Sequence, residues 1–422
     1  MTDHKEELQK NVFNIAKNAV AASRRMAAID SAHKRETLIK IGGRLDKKAD
    51  DIKFRNEIDV EAARQDNLPE ALIDRLILDD KRIKSMTDGI REVAALNDPV
   101  GEIIETIDRP NGLKIEKVRV PLGVIGMIYE SRPNVTGDAA ALCLMSSNVV
   151  ILRGGSESLN SNLAIGHLVR DVLAETRIPT DAVQIIDNTD REIINYLITF
   201  SGMVDVIIPR GSEQMIEAVS RGSSVPVIGH GKGLCHTYIA AAADKKKAIE
   251  ISINAKVQRP GVCNAMETLL VHREAAESIL PDLCEKMEEA GVQLRGDEKV
   301  RKIYDMTDAT DKDWSTEYLD LILSIKIVSS TEEAIAHINR YGSKHSDAII
   351  TEDKDDAEKF LRDVDSACVY VNASTRFTDG NQMGLGAEIG ISNGKLHARG
   401  PMGLKELTSY KYRVRGSGQI RS

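Results

Sequence analysis

The sequence predicts an α/β protein built from two open, largely parallel sheets with helices on both faces. Short apolar runs with the length of buried strands alternate with helical stretches from residue 124 onward, a pattern typical of βα repeats. Ten such runs are too many for one small sheet, so we expect two α/β domains that meet near residues 235–244. The runs are residues 124–128, 149–152, 183–186, 206–208, 225–228, 238–241, 268–271, 322–328, 348–350 and 368–371.

The segments on either side of these repeats have different patterns. Residues 1–97 carry Leu and Ile at three- and four-residue steps among many charged residues, which predicts helices. Residues 99–120 alternate between apolar and polar positions around a Pro-Asn-Gly turn, which predicts a two-stranded hairpin. The tail at residues 410–415 alternates again, and it is expected to pair either with this hairpin or with another subunit.

Composition limits the classes of function. With 422 residues, 42% of them hydrophobic, the chain is long enough for two or three domains with substantial cores. Its formal net charge of -8 disfavours nucleic acid and anionic membranes as partners, so an anionic ligand must be met by local Lys and Arg. The first residues, MTDHKEELQK, lack the apolar core of a signal peptide, and no apolar run is long enough to span a membrane. We therefore expect a cytoplasmic protein.

Two strand-to-helix junctions are candidate phosphate-binding loops. Each carries an arginine, a glycine and a serine between a buried strand and a helix, whose N-terminal N–H groups favour anions. Neither matches the G-x-G-x-x-G fingerprint, no kinase-type P-loop occurs, and glycine as a simple turn residue is an alternative for each junction. The candidate cofactor-binding residues are Arg153, Gly154, Ser156, Arg210, Gly211 and Ser212.

Cys263 is the candidate nucleophile. It lies between a predicted helix and the apolar run 268–271, directly after Pro260 and Gly261, which break regular structure and place the thiol at an accessible bend. A thiolate is the reactive form, and Arg259 or a helix dipole would favour it. The alternative is a small buried hydrophobe, which is our interpretation of the cysteines at 143, 235, 284 and 368. The five cysteines are far apart with no C-x-x-C pair, so a disulfide or zinc site is not indicated.

Five motifs in order along the chain are similar to those of the γ-glutamyl phosphate reductase family within the aldehyde dehydrogenase superfamily. They are residues 120–136 (VPLGVIGMIYESRPNVT), 150–156 (VILRGGS), 206–212 (VIIPRGS), 258–265 (QRPGVCNA) and 395–404 (KLHARGPMGL). The resemblance implies an aldehyde dehydrogenase-like fold. It also implies an NADPH-binding domain of residues 1–105 and 121–235, a catalytic domain of residues 236–400, and a β oligomerisation element of residues 106–120 and 401–422.

The resemblance further implies a reaction. The Cys263 thiolate attacks γ-glutamyl phosphate, phosphate leaves, and NADPH reduces the resulting thioester to glutamate-5-semialdehyde in proline biosynthesis. Negative oxygen in the tetrahedral intermediates needs donors such as the Cys263 backbone N–H, with Asn134 as a candidate side chain. Glu317 resembles the superfamily glutamate that holds the nicotinamide ribose. The candidates for binding the substrate's phosphate or carboxylate, each with a structural ion pair as its alternative role, are Arg132, Arg259, His397 and Arg399.

One departure from the superfamily pattern distinguishes acyl phosphate reduction from hydrolytic aldehyde oxidation. Hydrolytic aldehyde dehydrogenases carry a glutamate that activates water against the thioester, whereas the corresponding segment here, residues 227–233 (VIGHGKG), has none. Its absence disfavours the main rival, an NAD-dependent hydrolytic aldehyde dehydrogenase. A non-catalytic scaffold is disfavoured because Cys263 stands within a full motif. The resemblance implies a homo-oligomer. Because the 422 residues contain no kinase segment, a separate glutamate 5-kinase is the hypothetical partner that supplies the acyl phosphate.

Overall fold

The computed structural model describes residues 2–229 and 231–421. An all-helical opening is followed by alternating strands and helices, as the sequence predicts. The helices are α1 (Thr2–Met26), α2 (Ser31–Lys47), α3 (Ala49–Gln65), α4 (Glu70–Leu76), α5 (Asp80–Ala95), α6 (Asn134–Met145), α7 (Leu159–Ala174), α8 (Glu192–Leu197), α9 (Glu213–Gly222), α10 (Lys245–Val257), α11 (Arg273–Glu289), α12 (Glu298–Arg301), α13 (Thr331–Tyr341) and α14 (Lys354–Asp363). Short 3₁₀ helices occupy Ser156–Ser158, Thr180–Ala182, Asp313–Ser315 and Thr375–Phe377.

The strands are mostly short and buried. They are β1 (Ile103–Asp108), β2 (Lys114–Pro121), β3 (Val124–Tyr129), β4 (Val149–Gly154), β5 (Val183–Ile185), β6 (Val206–Arg210), β7 (Cys235–Ile239), β8 (Met266–His272), β9 (Gln293–Gly296), β10 (Thr307–Asp308), β11 (Ile322–Val328), β12 (Ser346–Ile350), β13 (Cys368–Val371), β14 (Ile391–Ser392), β15 (Gly400–Pro401) and β16 (Thr408–Arg415).

The chain divides into two compact units. The first comprises Met1–Gly229, Gly384–Gly390 and Met402–Ser422, and the second comprises His230–Met383 and Ile391–Pro401. The assignment of cofactor, catalytic and oligomerisation roles to parts of the chain stays a prediction.

The first unit is organised around a parallel sheet with strand order β5-β4-β3-β6. All six residues of β3 are buried, because α1 and α6 pack against the sheet and leave neither face to water. Helices α2, α3 and α5 add an outer layer through contacts with α6 and α7. The carboxyl ends of β3, β4 and β6 therefore open together at one edge, where side chains that follow each strand meet.

A separate three-stranded antiparallel sheet, with order β1-β2-β16, belongs to the same unit. The tail strand β16 pairs with β2 from Thr408 against Pro121 to Arg415 against Lys114. Of the two expected partners for the tail, the structure therefore has the hairpin of the same chain.

The second unit contains a seven-stranded parallel sheet with order β10-β9-β11-β8-β7-β12-β13. Its central strand β8 is buried over its whole length, with α10 and α11 packed against it. Asp244 accepts a hydrogen bond from the Lys247 N–H (2.8 Å) and so fixes the start of α10, while Val257 ends it. The link from α10 to β8 carries the candidate nucleophile.

Two strand predictions were wrong in detail. Residues 225–228 form only an isolated bridge between Val227 and Ile207, because Pro226 has no N–H to donate and offers its carbonyl alone to Ile207. Strand β7 begins at Cys235 and ends at Ile239, although a run over 238–241 was expected. The polar residue His236 hides the start of β7 in the sequence pattern, and in the fold its N–H is satisfied by the buried Asp347 carboxylate.

Candidate active site

Cys263 lies in the loop between α10 and β8, as the sequence predicts. It is partly exposed, whereas the other four cysteines are buried, and no disulfide is formed among the described residues. The Ala265 N–H donates to the Val262 carbonyl (3.0 Å), which closes a tight turn around the thiol-bearing residue. The neighbouring end of α10 is its carboxyl end, whose partial charge is negative, so of the two expected sources of positive potential only the cationic side chains remain in this loop.

Gly233 and Cys235, in the segment that leads into β7, pack against the Cys263 backbone, and we call residues 233–235 the backing segment. The Cys235 thiol donates to the Cys263 carbonyl at 3.2 Å. Burial raises the pKa of Cys235 well above the usual value, so it stays a neutral donor. Gly233 packs so closely that a Cβ there would lie 2.4 Å from the Cys263 Cα. The segment before β7 thus acts as a fixed backing for the nucleophile.

A second support comes from residues far away in the chain. The buried Asn264 side chain donates to the Thr378 carbonyl (2.8 Å), and the Asn264 carbonyl accepts from the Thr375 hydroxyl (2.7 Å). The residue after the nucleophile is therefore held on both its side chain and its backbone by the segment around the 3₁₀ helix Thr375–Phe377. This contact brings Arg376 to the Cys263 loop.

Glu317 is joined to the same backing. Its carboxylate accepts a hydrogen bond from the Gly233 N–H at 2.9 Å. Two residues later, the Leu319 N–H donates to Glu267 (3.2 Å), whose other oxygen accepts from Lys256 Nζ at 2.7 Å. Both members of that ion pair are completely buried. Burial is the main cause that raises the pKa of Glu267, to about 7, and that lowers the pKa of Lys256.

The first candidate phosphate loop follows β4. Arg153 is buried, and its guanidinium donates to the carbonyls of Gly154 and Thr189, both at 2.8 Å. Burial lowers the pKa of Arg153, and its buried Nε has no hydrogen-bond partner among the described atoms. Ser156 is exposed at the start of a 3₁₀ helix, and the Glu157 carboxylate next to it accepts from the Ser131 N–H (2.6 Å).

The second loop follows β6 and leads into α9. Arg210 Nη1 donates to the Ile389 carbonyl (2.8 Å), which ties the strand end to the short excursion of unit one at residues 384–390. Gly211 and Ser212 are exposed, and the Ser212 N–H donates to the Glu130 carboxylate at 2.7 Å. A Cβ at Gly211 would lie 2.3 Å from that carboxylate.

These two loops fit a nucleotide cofactor in its chemistry. The positive end of the α9 dipole and the two arginines suit phosphate, and the carboxylates of Glu130 and Glu157 suit the hydroxyl groups of a ribose. The unpartnered Nε of Arg153 is an unused donor at that edge.

Two further candidates lie after β3. Asn134 is the first residue of α6, and its Nδ2 donates to the Asp138 carboxylate (2.9 Å) one turn later. Burial raises the pKa of Asp138 to about 6, with the Asn134 hydrogen bond opposing that shift. Arg132 is partly exposed just before this helix.

The remaining candidates lie in an exposed loop between β14 and β15. His397 is exposed there. Arg399 Nη2 donates to the Asp365 carboxylate at 2.9 Å, where it joins Lys395 and Lys344 around the same acid. These cations hold the pKa of Asp365 well below its usual value, Lys395 being the largest cause. Arg399 is thus engaged in an ion pair, as its alternative role anticipated.

Within the second unit, Gly233 joins Cys263 and Glu317, and Arg259 lies in the same loop as Cys263. Sequence reasoning missed Arg376, and it treated Cys235 only as a buried hydrophobe. It also missed the Lys256–Glu267 pair, although a glutamate inside an apolar strand is a signal that a buried cation must lie nearby. No local pattern identifies Arg376, which is 112 residues from Asn264 in the chain. His230, in the segment that lacks the hydrolytic glutamate, lies outside the described residues.

The fold and the thiol loop define an α/β protein with a candidate cysteine nucleophile, and comparison with known proteins gives its class. The model of the aldehyde dehydrogenase family matches residues 2–302 and 302–412. The chain belongs to the aldehyde dehydrogenase family, a family of nicotinamide-dependent oxidoreductases. Among the described residues, no helix has the length and apolar character needed to cross a membrane.

Two relatives and one solved structure of that family are γ-glutamyl phosphate reductases. A γ-glutamyl phosphate reductase of Caldanaerobacter subterraneus subsp. tengcongensis is 54% identical over 407 residues, which are 96% of this chain and 98% of the relative. One of Nautilia profundicola is 55% identical over 400 residues, or 95% and 97% of the two chains. The crystal structure of the γ-glutamyl phosphate reductase of Thermotoga maritima is 48% identical and superposes with a TM-score of 0.95, covering 97% of this chain and 100% of that one. The predicted fold and family resemblance are confirmed.

Proposed function

We propose that this chain reduces γ-glutamyl phosphate to glutamate-5-semialdehyde with NADPH, through a thioester on Cys263, as a cytoplasmic enzyme of proline biosynthesis. The observation that carries the proposal is the partly exposed Cys263 thiol on a loop held by Gly233, Cys235 and Asn264. The names of the relatives at 54% and 55% identity supply the substrate.

The first half of the reaction uses the nucleophile and its support. The Cys263 thiolate attacks the acyl carbon, a C–S bond forms, and the C–O bond to phosphate breaks with its electron pair leaving on phosphate. The fixed backing keeps the thiol in one position and so lowers the entropic cost of attack. The backbone N–H of Cys263 and the side chain of Asn134 are the proposed donors to the negative oxygen.

The second half needs a hydride donor. Reduced nicotinamide supplies that hydride when NADPH is bound. The residues proposed to hold the cofactor are Glu317 for the nicotinamide ribose and, for the phosphates and the other ribose, Arg153, Gly154, Ser156, Arg210, Gly211 and Ser212. The C–S bond then breaks, the electron pair returns to the Cys263 sulfur, and the aldehyde departs.

Protection of the thioester from water is part of the proposal. The segment 227–233 carries no carboxylate that could activate water. Glu267 and Glu317 are nearby acids of the second unit, but Glu267 is buried against Lys256 and Glu317 is bonded to Gly233. This arrangement favours acyl phosphate reduction over hydrolytic aldehyde oxidation.

The test is phosphate-dependent oxidation of glutamate-5-semialdehyde with NADP⁺, followed by NADPH absorbance. Wild type is expected to require phosphate, Cys263→Ala to be inactive, and the matched control Cys284→Ala, a buried thiol of α11, to retain activity. Activity without phosphate would establish the hydrolytic alternative, and absence of activity with every aldehyde and both cofactors would establish a scaffold. A kcat/KM ratio that favours NADH would remove the NADPH assignment.

Assembly is a further part of the proposal. We assign cofactor binding to residues 1–105 and 121–235, catalysis to 236–400, and homo-oligomerisation to 106–120 and 401–422. Strand β16 supports the last role, because it is a sheet edge on which Tyr410, Tyr412 and Val414 are about half exposed. A glutamate 5-kinase that hands over the labile acyl phosphate is the proposed partner, and co-elution of the two proteins tests it.

A further inference from the structure

Arg376 is a cation beside the nucleophile that has no assigned role. Asn264, the residue after Cys263, is hydrogen-bonded to Thr375 and Thr378, and these bonds fix the short segment that carries Arg376. Its own N–H is capped by the Ser374 hydroxyl at 3.3 Å. The backbone that carries this guanidinium is therefore positioned before any ligand arrives.

The side chain of Arg376 also contacts the Cys263 loop. Its Nε donates to Gln258 Oε1 at 2.8 Å, and Gln258 immediately precedes Arg259. Burial is the main cause that lowers the pKa of Arg376. The charge of Arg259 lowers it further, whereas the carboxylate of Asp379 opposes the shift, so each arginine lies within range of the other's charge. Two neighbouring guanidinium groups offer the charge and the paired N–H donors that suit a phosphate group.

The pair differs from the other cations of the second unit. Arg399, Lys395 and Lys344 share the Asp365 carboxylate as an ion-pair partner. Arg376, by contrast, forms no ion pair with any residue in the ranges 2–229 and 231–421, and its bond to Gln258 uses one of five guanidinium donors. Both Arg376 and Arg259 are at least partly exposed, so an anion can reach them.

We propose that Arg376 and Arg259 together bind the phosphoryl group of the acyl phosphate beside Cys263 and stabilise it as it leaves. This inference rests on the proposed function and deepens it. When the acyl C–O bond breaks, its electron pair stays on phosphate, and two guanidinium groups balance the added charge without a proton transfer. Phosphate is preferred over the substrate's carboxylate because it is bonded to the carbon that Cys263 attacks.

The first experiment measures substrate affinity. In the oxidative direction with NADP⁺, Arg376→Gln is expected to raise the KM for inorganic phosphate about tenfold or more, and the KM for glutamate-5-semialdehyde less than about threefold. Arg376→Lys, which keeps the charge, should recover part of the loss. Arg362→Gln is the matched control, since Arg362 is an exposed arginine of α14 paired with Asp363. A rise in the aldehyde KM with an unchanged phosphate KM would overturn the assignment.

The second experiment does not depend on the proposed reaction. Alkylation of Cys263 by anionic iodoacetate is compared with alkylation by neutral iodoacetamide, each forming a C–S bond with loss of iodide. Wild type is expected to favour iodoacetate, with inorganic phosphate as a competitor, and Arg376→Gln to lower the rate ratio about tenfold. If wild type lacks phosphate-dependent oxidation, the proposed function fails while this ratio still tests the anion site. Equal ratios in wild type and Arg376→Gln, with thermal midpoints unchanged, would refute the site.

Discussion

Gly233 and Cys263 are in such close contact that a methyl group at position 233 would lie 2.5 Å from the Cys263 Cβ and 2.1 Å from its carbonyl oxygen. Real Cβ atoms do not approach other heavy atoms that closely, and the atoms they would meet belong mainly to the backbone of the nucleophile. The absence of a side chain at 233 therefore allows the Cys263 backbone to lie against this segment.

Gly233→Ala is expected to displace the Cys263 loop and lower kcat about 100-fold, because a displacement of about 1 Å costs that much. Steady-state kinetics and a thermal midpoint measure the two effects. Gly43→Ala is the control, since Gly43 lies in α2 with open space around it, and alanine there should keep activity and stabilise the helix by about 0.5–1 kcal/mol. Full activity in Gly233→Ala would contradict the contact.

The native protein is expected to take up one iodoacetamide group per chain near neutral pH, on Cys263. The other thiols are buried, and burial raises the pKa values of Cys143, Cys235 and Cys284. Intact-mass and peptide analysis measure the label, and unfolding in guanidinium should expose all five cysteines. Labelling of Cys235 as fast as Cys263 would show that the backing segment is not closed.

Two substitutions of Glu317 separate its hydrogen bond with Gly233 from its proposed role in holding the nicotinamide ribose. Glu317→Gln keeps an oxygen that accepts from the Gly233 N–H but loses the charge, so the KM for NADP⁺ should rise with little loss of stability. Glu317→Ala loses both the acceptor oxygen and the charge. It should therefore raise the KM for NADP⁺ and also lower the free energy of unfolding by about 1 kcal/mol. Kinetics and urea unfolding give the two quantities. An unchanged KM in both variants would remove Glu317 from cofactor binding.

The Lys256–Glu267 pair should behave as a unit. Because both side chains are completely buried, Lys256→Met or Glu267→Met alone leaves one uncompensated group and should cost about 3–5 kcal/mol. The double variant is expected to be more stable than either single variant, because neither polar group is then left alone. Urea unfolding of all four proteins gives the coupling energy. Simple additivity would show that the two groups do not depend on each other.

His337 predicts an acid sensitivity of the second unit. Burial lowers the pKa of His337 to about 3, and His236, Lys326 and Arg340 lower it further by repulsion. Below about pH 6.5 the unfolded chain binds a proton at His337 that the folded chain does not bind. The contribution of His337 to the free energy of unfolding therefore has its full value above that pH and decreases as the pH falls toward 3.

Between pH 7 and pH 5 this single group should reduce the free energy of unfolding by about 2 kcal/mol. The His337→Phe variant cannot take up the proton, and it keeps an aromatic ring beside Tyr341, whose ring centroid is 4.7 Å from that of His337. The decrease in its free energy of unfolding between pH 7 and pH 5 should therefore be smaller than that of wild type by about 2 kcal/mol. Urea unfolding at several pH values measures the difference. Equal slopes in the two proteins would contradict the assignment.

The sequence determined most of the fold class and supplied Cys263 as the candidate nucleophile. Periodicity located the helical opening, the hairpin and the parallel-sheet strands, because one-dimensional patterns report burial on each element. Pro260 and Gly261 predicted an accessible bend at Cys263, and the resemblance of residues 258–265 to a family motif implied its role. The strand expected at 225–228 was wrong because an apolar run alone does not reveal that Pro226 has no donor for a ladder.

The tertiary structure alone decided which side chains surround that nucleophile. Gly233, Glu317 and Arg376 reach the Cys263 loop from segments separated in sequence, and only chain folding creates their hydrogen bonds. It also decided that Arg399 is paired with Asp365 whereas Arg376 donates to the neutral Gln258 side chain, two arginines that no sequence pattern separates. The physical reason is that the charge of an arginine is fixed by its type, but its neutralisation depends on partners that long-range contacts supply.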